Sequence, residues 1–431
     1  MKKFVNFWLC LSFLAFLAGC AVNPVTGRNE LALMNVTTQQ EVELGSKSYS
    51  QALQQMGGVY PDQQLAAYVD RVGQRLARNS HRPELTYHFN VVNDSTPNAF
   101  ALPGGFIAIT RGLLVNMDNE AQLAAVLGHE IGHVTARHSV QELQRSTLLG
   151  TTVSLLGGLA GDSGYGTILT QVGGLTANLL SKRYSREQEF EADRLGIGYM
   201  ARADYGLQGA VQLQNIFVQK LDSGSSNDWV SGLFRTHPVS RDRLQANRQL
   251  IATEFPQYHS SYGLSGDSYR RYTASLQQTK AAYATFDQAR QQEAQGQLEA
   301  AIESYHKAIQ QAPDQGLLLS ALGMAYLRKE DIIPARRYLL KAVNVQGDYF
   351  QSHLGLGYIY LRSKEFDAAA TQLESSLDLL STLQGTFLLA ETEEGRHNPA
   401  RARQLYQAVQ QADSNGQLGQ EAAARLRNLS R

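Results

Sequence analysis

The sequence predicts a mainly α protein: an α+β domain with a small sheet, followed by an α-solenoid of paired helices. Three features lead to that class. Apolar residues recur at helical spacing, for example Leu123, Val126, Leu127, Ile131 and Val134. Strand character is brief, at residues 85–92 and in a hairpin pattern at 99–110. Past residue 300, small and large apolar residues return with a period of 34. The chain has 431 residues, enough to bury a sizeable core, and its formal net charge of zero argues against a nucleic-acid partner.

At the N-terminus, Lys2 and Lys3 precede an apolar run from Phe4 to Ala18. Its length of about fifteen residues suits a signal-peptide core and is short for a spanning helix. Leu17-Ala18-Gly19-Cys20 resembles a bacterial lipobox, which implies cleavage before Cys20 and lipidation of its thiol. Residues 1–19 are then a lipoprotein signal peptide, and a lipid anchor is the expected membrane contact. Ala21, rather than an aspartate, resembles lipoproteins sorted to the outer membrane, so its periplasmic face is the expected location. Only Cys10 and Cys20 occur, and no disulfide framework is expected.

Thr38 and Glu41 read as a capping box opening a helix that runs to Gly57-Gly58. Pro61 begins another helix, through about Arg78. The segment from Asn119, capped by Asp118 or Asn119, carries His129-Glu130-Ile131-Gly132-His133. Residues four apart share a helix face, so the two histidines can present their rings to one metal ion. Glu130 follows the first of them, where it can take a proton from water on the metal. A zinc hydrolase needs a third protein ligand and an open fourth position. Glu189 and Asp193 are also four apart. Glu189 would bind the metal, and Asp193 would orient a ligand histidine. Glu191 points elsewhere on that helix and reads as a surface residue.

The stretch from His129 to His138, followed by Ser185 to Asp193, resembles the gluzincin family that includes the CAAX prenyl proteases, HtpX-like proteases and beta-barrel assembly-enhancing proteases. The resemblance implies a gluzincin metalloprotease domain holding one zinc ion per chain, with Glu189 as third ligand. Thr236-His237-Pro238, with Arg243 five residues further on, resembles the HP-x(4)-R pattern of the CAAX-protease group. There the histidine and arginine face the metal and stabilise an oxyanion, roles that fall here on His237 and Arg243. In the assembly-enhancing type the equivalent histidine also takes the fourth metal site and keeps the enzyme latent. Asn23 to Arg28 resembles the segment opening many lipoprotein members; by itself it reads as a polar turn.

Proteases of this type bind peptide as a strand added to a sheet edge. The resemblance puts that edge at Asn98 to Leu102, with Asn98, Ala99, Phe100 and Ala101 as substrate-binding residues. Leu148 to Leu180 is apolar and glycine-rich where integral members carry membrane helices. Its glycines and Asp162 leave no run near the twenty residues a span requires. A lid, a membrane-touching loop and a loosely packed hairpin all fit it. His138 lies about 140° around a continuous helix from His133 and reads as structural. So do His81, His88, His259, His306, His353 and His397.

Residues 254–272 are rich in Ser, Gly, Tyr and Pro and read as a linker. Beyond them Ala301, Ala335 and Ala369 are 34 apart, as are Ile309, Val343 and Leu377, and Gly323 and Gly357. The pattern looks like the tetratricopeptide repeat, in which small residues let paired helices approach. Leu405, Ala408 and Val409 mark a fourth, imperfect unit. The expected domains are 20–265, a metalloprotease, and 266–431, a repeat array that binds envelope or outer-membrane assembly partners. The function so read is a lipid-anchored zinc metalloendopeptidase acting on misfolded envelope polypeptides. The alternative is a repeat-based scaffold or chaperone with latent proteolysis.

Overall fold

The computed structural model describes residues 20–23, 25–27, 29–31, 36–148, 183–222 and 232–429. The signal-peptide segment 1–19, and all of the glycine-rich stretch 148–180 except its first residue, lie outside the described residues. Two strands, β1 (Cys20–Val22) and β2 (Asn29–Leu31), form an antiparallel ladder at the start. The main sheet has three strands, β3 (His88–Val92), β4 (Ala99–Leu102) and β5 (Phe106–Thr110), in the order β3-β5-β4. β5 runs parallel to β3 and antiparallel to β4. All five residues of β5 are buried, as a central strand covered on both faces requires. The β4–β5 turn needs its glycines, because Gly104 and Gly105 sit at φ 80° and 99°.

The first helix, Thr38–Gln55, starts one residue earlier than its sequence implies. Thr37 caps it and Gln40 closes the capping box. Glu41 is withdrawn from that role because it is buried against Arg82 (2.9 Å) and Arg137 (2.6 Å). Helix Gln63–Ala77, capped by Asp62, lays Leu65, Tyr68, Val69, Val72 and Leu76 into the core.

Two helices form the centre of the domain: the motif helix, Glu120–Thr135, and the acidic helix, Arg186–Arg202. They cross without side chains between them. A Cβ on Gly196 would lie 2.8 Å from the carbonyl carbon of Gly128, and one on Gly132 would lie 2.8 Å from the Ala192 oxygen. Backbone therefore meets backbone, and the histidine face of one helix overlies the carboxylate face of the other.

Residues 254–272 differ from the linker expected. Ala121 donates to the Gly263 carbonyl, and Gly206 to that of Tyr262. Tyr269, within a helix at Gly266–Tyr272, is 2% exposed and donates to the Leu114 carbonyl. Tyr272 stacks on Tyr68. The tyrosines that made this stretch look like a polar connector are its packing groups.

Four helix pairs follow: Ala274–Ala294 with Leu298–Gln311, Gly316–Arg328 with Ile332–Val345, Phe350–Arg362 with Phe366–Leu379, and Leu383–Gly395 with Pro399–Ala412. A last helix, Gln417–Leu429, covers the end. The periodic residues are the pair contacts: Ala301, Ala335 and Ala369 are fully buried, and Gly323 and Gly357 sit against Leu339 and Leu373. The array docks on the first domain through Gln54 and Gln346. Gln54 donates to the Asp348 carbonyl and accepts from Phe350, while Gln346 donates to the Val59 carbonyl. Among the described residues no helix is long and apolar enough to cross a membrane.

The helix crossing yields a prediction. Gly196→Val must push the motif helix away, costing about 1–3 kcal/mol as an overpacked core does. Urea unfolding should report that loss, and the same variant should bind less zinc than the unsubstituted chain. Unchanged stability would mean that the crossing tolerates a side chain.

Candidate metal centre

Asn119 caps the motif helix by accepting from Gln122, and Ser185 caps the acidic helix in a capping box with Gln188. These caps set where each helix starts, and hence which residues face the crossing. His129, His133 and Glu189 meet there as expected, and His237 joins them from a short turn of helix, Leu233–Thr236. Leu233 is tied to the Pro97 carbonyl beside β4, which fixes the approach of this segment.

The ligand atoms converge. His129 Nε2 lies 3.0 Å from His133 Nε2, 3.6 Å from Glu189 Oε2 and 3.3 Å from His237 Nδ1. Glu189 Oε1 lies 3.4 Å from His133 Nε2 and 3.0 Å from His237 Nδ1. Zinc bonds of about 2.0–2.1 Å to four tetrahedral ligands set edges of about 3.3–3.4 Å. The observed spacings scatter about that value. Three imidazole nitrogens and a carboxylate are also a donor set that suits zinc. The residues present therefore fit a single metal ion.

The surroundings are dry and charged. Glu189 is fully buried, and burial alone would raise its pKa. Arg243, His237 and His129 outweigh that and hold it well below the ordinary carboxylate value. Asp193 follows the same pattern: burial raises it, but Arg243 and His129 lower it overall. Burial pushes His133 well below the usual histidine value, which keeps its ring neutral. Burial also opposes charge on His237, but Glu189 and Glu130 beside it raise its pKa. Burial raises Glu130, despite His237 and His129 nearby. Glu130 Oε2 and His237 Nε2 are buried without a hydrogen-bond partner among the described residues. Both atoms are therefore spare polar groups in the centre.

Asp193 accepts from His129 Nδ1 at 2.8 Å, as the sequence implied. Arg243 does not take the position expected of it. Its Nε and Nη2 donate to both oxygens of Asp193 (2.8 and 2.7 Å), and its Nη1 pairs with Glu189 and the Pro238 carbonyl. It backs the carboxylates rather than facing a reacting carbonyl, because two buried carboxylates need a countercharge.

Among the described residues β4 is an edge strand of the sheet, and that edge is covered. Ala99, Phe100 and Ala101 are at most 7% exposed, Asn98 is half-buried, and Ser139 donates to the Ala101 carbonyl. An added strand requires that cover to move.

Sequence reasoning missed three parts of the centre. Tyr184 stacks on His133 with ring centroids 3.8 Å apart. His138 Nδ1 lies 2.8 Å from His133 Nδ1, and His138 Nε2 lies 3.0 Å from Glu191 Oε2. The reading of His138 as remote assumed an unbroken helix. The chain breaks at Arg137, at φ 59°, and a new helix starts at His138. Glu191 is correspondingly no plain surface residue. Asn23, in the polar turn expected there, donates to the Ala136 carbonyl at that break. Only the run of polar residues His138, Ser139 and Gln141 after the motif hinted at this.

Two facing pairs of residues four apart thus converge on one buried cluster whose ligand atoms could hold a metal ion. Residues 63–251 match the model of peptidase family M48. The chain is 31% identical over 228 residues to a putative beta-barrel assembly-enhancing protease of Vibrio cholerae, covering 51% of this chain and 46% of that one. It is 30% identical over 213 residues to the beta-barrel assembly-enhancing protease of Escherichia coli K12, covering 48% and 42%. It is also 29% identical to the mitochondrial metalloendopeptidase OMA1 of Schizosaccharomyces pombe, over 52% of this chain and 64% of that one. The chain thus spans less than half the length of the two assembly-enhancing relatives. Among solved structures it resembles the TPR protein YrrB at 14% identity and a TM-score of 0.30, over 48% of this chain and 97% of that one.

Removing Arg243 isolates its role. Arg243→Leu removes the one guanidinium paired with buried Glu189 and Asp193 and leaves only the histidines to offset them, a change that costs about 3–5 kcal/mol. Urea unfolding of the metal-free protein measures it without involving the metal. A loss under 1 kcal/mol would mean that those carboxylates are neutral in the fold.

Proposed function

We propose that the protein is a zinc-dependent metalloendopeptidase of the bacterial envelope. The observation that carries this reading is the near-tetrahedral set formed by His129 Nε2, His133 Nε2, a Glu189 oxygen and His237 Nδ1, with Glu130 beside it. Zinc bound there supplies Lewis acidity toward a peptide carbonyl and lowers the pKa of water. Glu130 is the general base. Its raised pKa makes it a better proton acceptor, and its unpartnered Oε2 is free to receive the proton and return it to the leaving amine. Asp193 fixes the tautomer of His129, and Arg243 keeps Asp193 and Glu189 ionised.

His237 has two assignable roles, separated by its nitrogens. Nδ1 sits at the fourth ligand position, which active zinc hydrolases leave for water. Nε2 faces Glu130 Oε1 at 3.6 Å. We read the resting enzyme as latent, with His237 withdrawn when substrate enters. An apolar cavity of about 40 Å³ beside His129, walled by Val126, Ile197, Leu213, Phe217 and Leu233, can take an apolar side chain of the peptide.

The beta-barrel assembly-enhancing name of the relatives and the lipobox-like Cys20 support a reading in which the substrates are misassembled envelope proteins and the chain sits at a membrane surface. The repeat array would hold the assembly partner.

Glu130→Gln should keep zinc and lose casein cleavage by about a hundredfold or more; retained cleavage would remove the base. His237→Ala should raise basal cleavage of an unstructured substrate. A fall of about ten- to a thousandfold would instead make His237 an oxyanion donor. Cys20→Ser should abolish incorporation of labelled fatty acid in a bacterial host, and no label on the unsubstituted chain would end the anchoring proposal.

A further inference from the structure

We infer that His138 and Glu191 form a positioning relay behind the metal ligand His133. The inference rests on the zinc reading above and adds two residues to it. His133 Nε2 points into the ligand cluster, so it must offer its lone pair there and carry its proton on Nδ1. Among the described residues the acceptor for that Nδ1–H is His138 Nδ1, at 2.8 Å. With Nδ1 accepting, His138 carries its own proton on Nε2, which donates to Glu191 Oε2 at 3.0 Å. Each link fixes the next, and the carboxylate at the far end sets the direction of the whole chain.

The local fold is built to allow this. On a continuous helix His138 would point about 140° away from His133. Instead Arg137 adopts φ 59°, which L residues rarely do, and the chain turns so that the two rings meet. Three groups hold the turn. Arg137 pairs with Glu41 at 2.6 Å and donates to the Val36 carbonyl, while Asn23 and Gln141 both donate to the Ala136 carbonyl. Tyr184 stacks on a face of the His133 ring and hydrogen-bonds Ser139, so the ring cannot swing away. His138 itself is 1% exposed.

The acidic helix then serves both histidines. Asp193 backs His129 directly, and Glu191, which faces another side of that helix, reaches His133 only because His138 lies between them. The hydrogen bond orients the His133 ring and increases its basicity toward a metal. Partners of ligand histidines commonly contribute about ten- to a hundredfold to metal affinity.

Competition with a chelator for zinc tests this on the full chain, with circular dichroism to check folding. His138→Ala should weaken zinc binding by about ten- to a hundredfold. His138→Asn should recover most of the loss, since its Oδ1 falls near the ring Nδ1 and can accept from His133. Glu191→Gln should weaken binding several-fold, and it remains readable if the His138 variants do not fold. Affinity unchanged in His138→Ala or in Glu191→Gln would overturn the relay. Asn no better than Ala would reduce His138 to packing, and would overturn it too. Failure of the unsubstituted chain to bind zinc would sink the peptidase reading along with it, whereas normal binding there makes any failure of the variants specific to the relay.

Discussion

The contact between the motif helix and the acidic helix governs the rest of the domain. At Gly128, Gly132 and Gly196 no side chain separates the two backbones. Any Cβ there would spread the axes, and the ligand atoms sit only 3.0–3.6 Å apart, so small displacements matter. The caps at Asn119 and Ser185 fix the rotation of each helix, and the glycines fix the distance. Together they bring an imidazole pair and a carboxylate pair into register without help from a loop. Scaffold elements of this kind hold a site more precisely than loops do.

That contact also creates an electrostatic problem. Glu130, Glu189 and Asp193 are all within 5% of full burial, and a buried carboxylate is costly unless paired. Arg243 answers for two of them with a bidentate grip on Asp193 and an ion pair to Glu189. Glu130 is left without such a partner, and burial raises its pKa in consequence. One helix register thus separates two carboxylates that stay ionised from a third suited to exchanging a proton. The division follows from where the single guanidinium lies.

The repeat array is no loose appendage. Its apolar residues join the same core as those of the first domain, and the segment expected to be a linker is packed into that core by Tyr269 and Tyr272. Gln54 and Gln346 make main-chain bonds across the junction: Gln54 donates to the Asp348 carbonyl and accepts from the Phe350 amide, and Gln346 donates to the Val59 carbonyl. Arg111 lies over the ring of Tyr283 from the first repeat helix. A partner bound on the repeats would therefore act on a body continuous with the metal centre.

The sequence by itself determined the helices, the 34-residue period, and the ligand pairs His129–His133 and Glu189–Asp193. Each is a local property: helical spacing decides which residues share a face, and small residues at fixed intervals decide where helices pair. Tertiary structure decided what depends on chain reversal or on distant partners. Glu41 left its capping box because Arg82 and Arg137 reach it from elsewhere in the chain. Residues 254–272 became core because tyrosines found tyrosines. Arg243 turned toward the carboxylates because burial demanded a countercharge. His138 came to His133 through a single residue, Arg137, in a left-handed conformation. Periodicity presumes an unbroken helix, and the polar residues His138, Ser139 and Gln141 after the motif only hinted at that break.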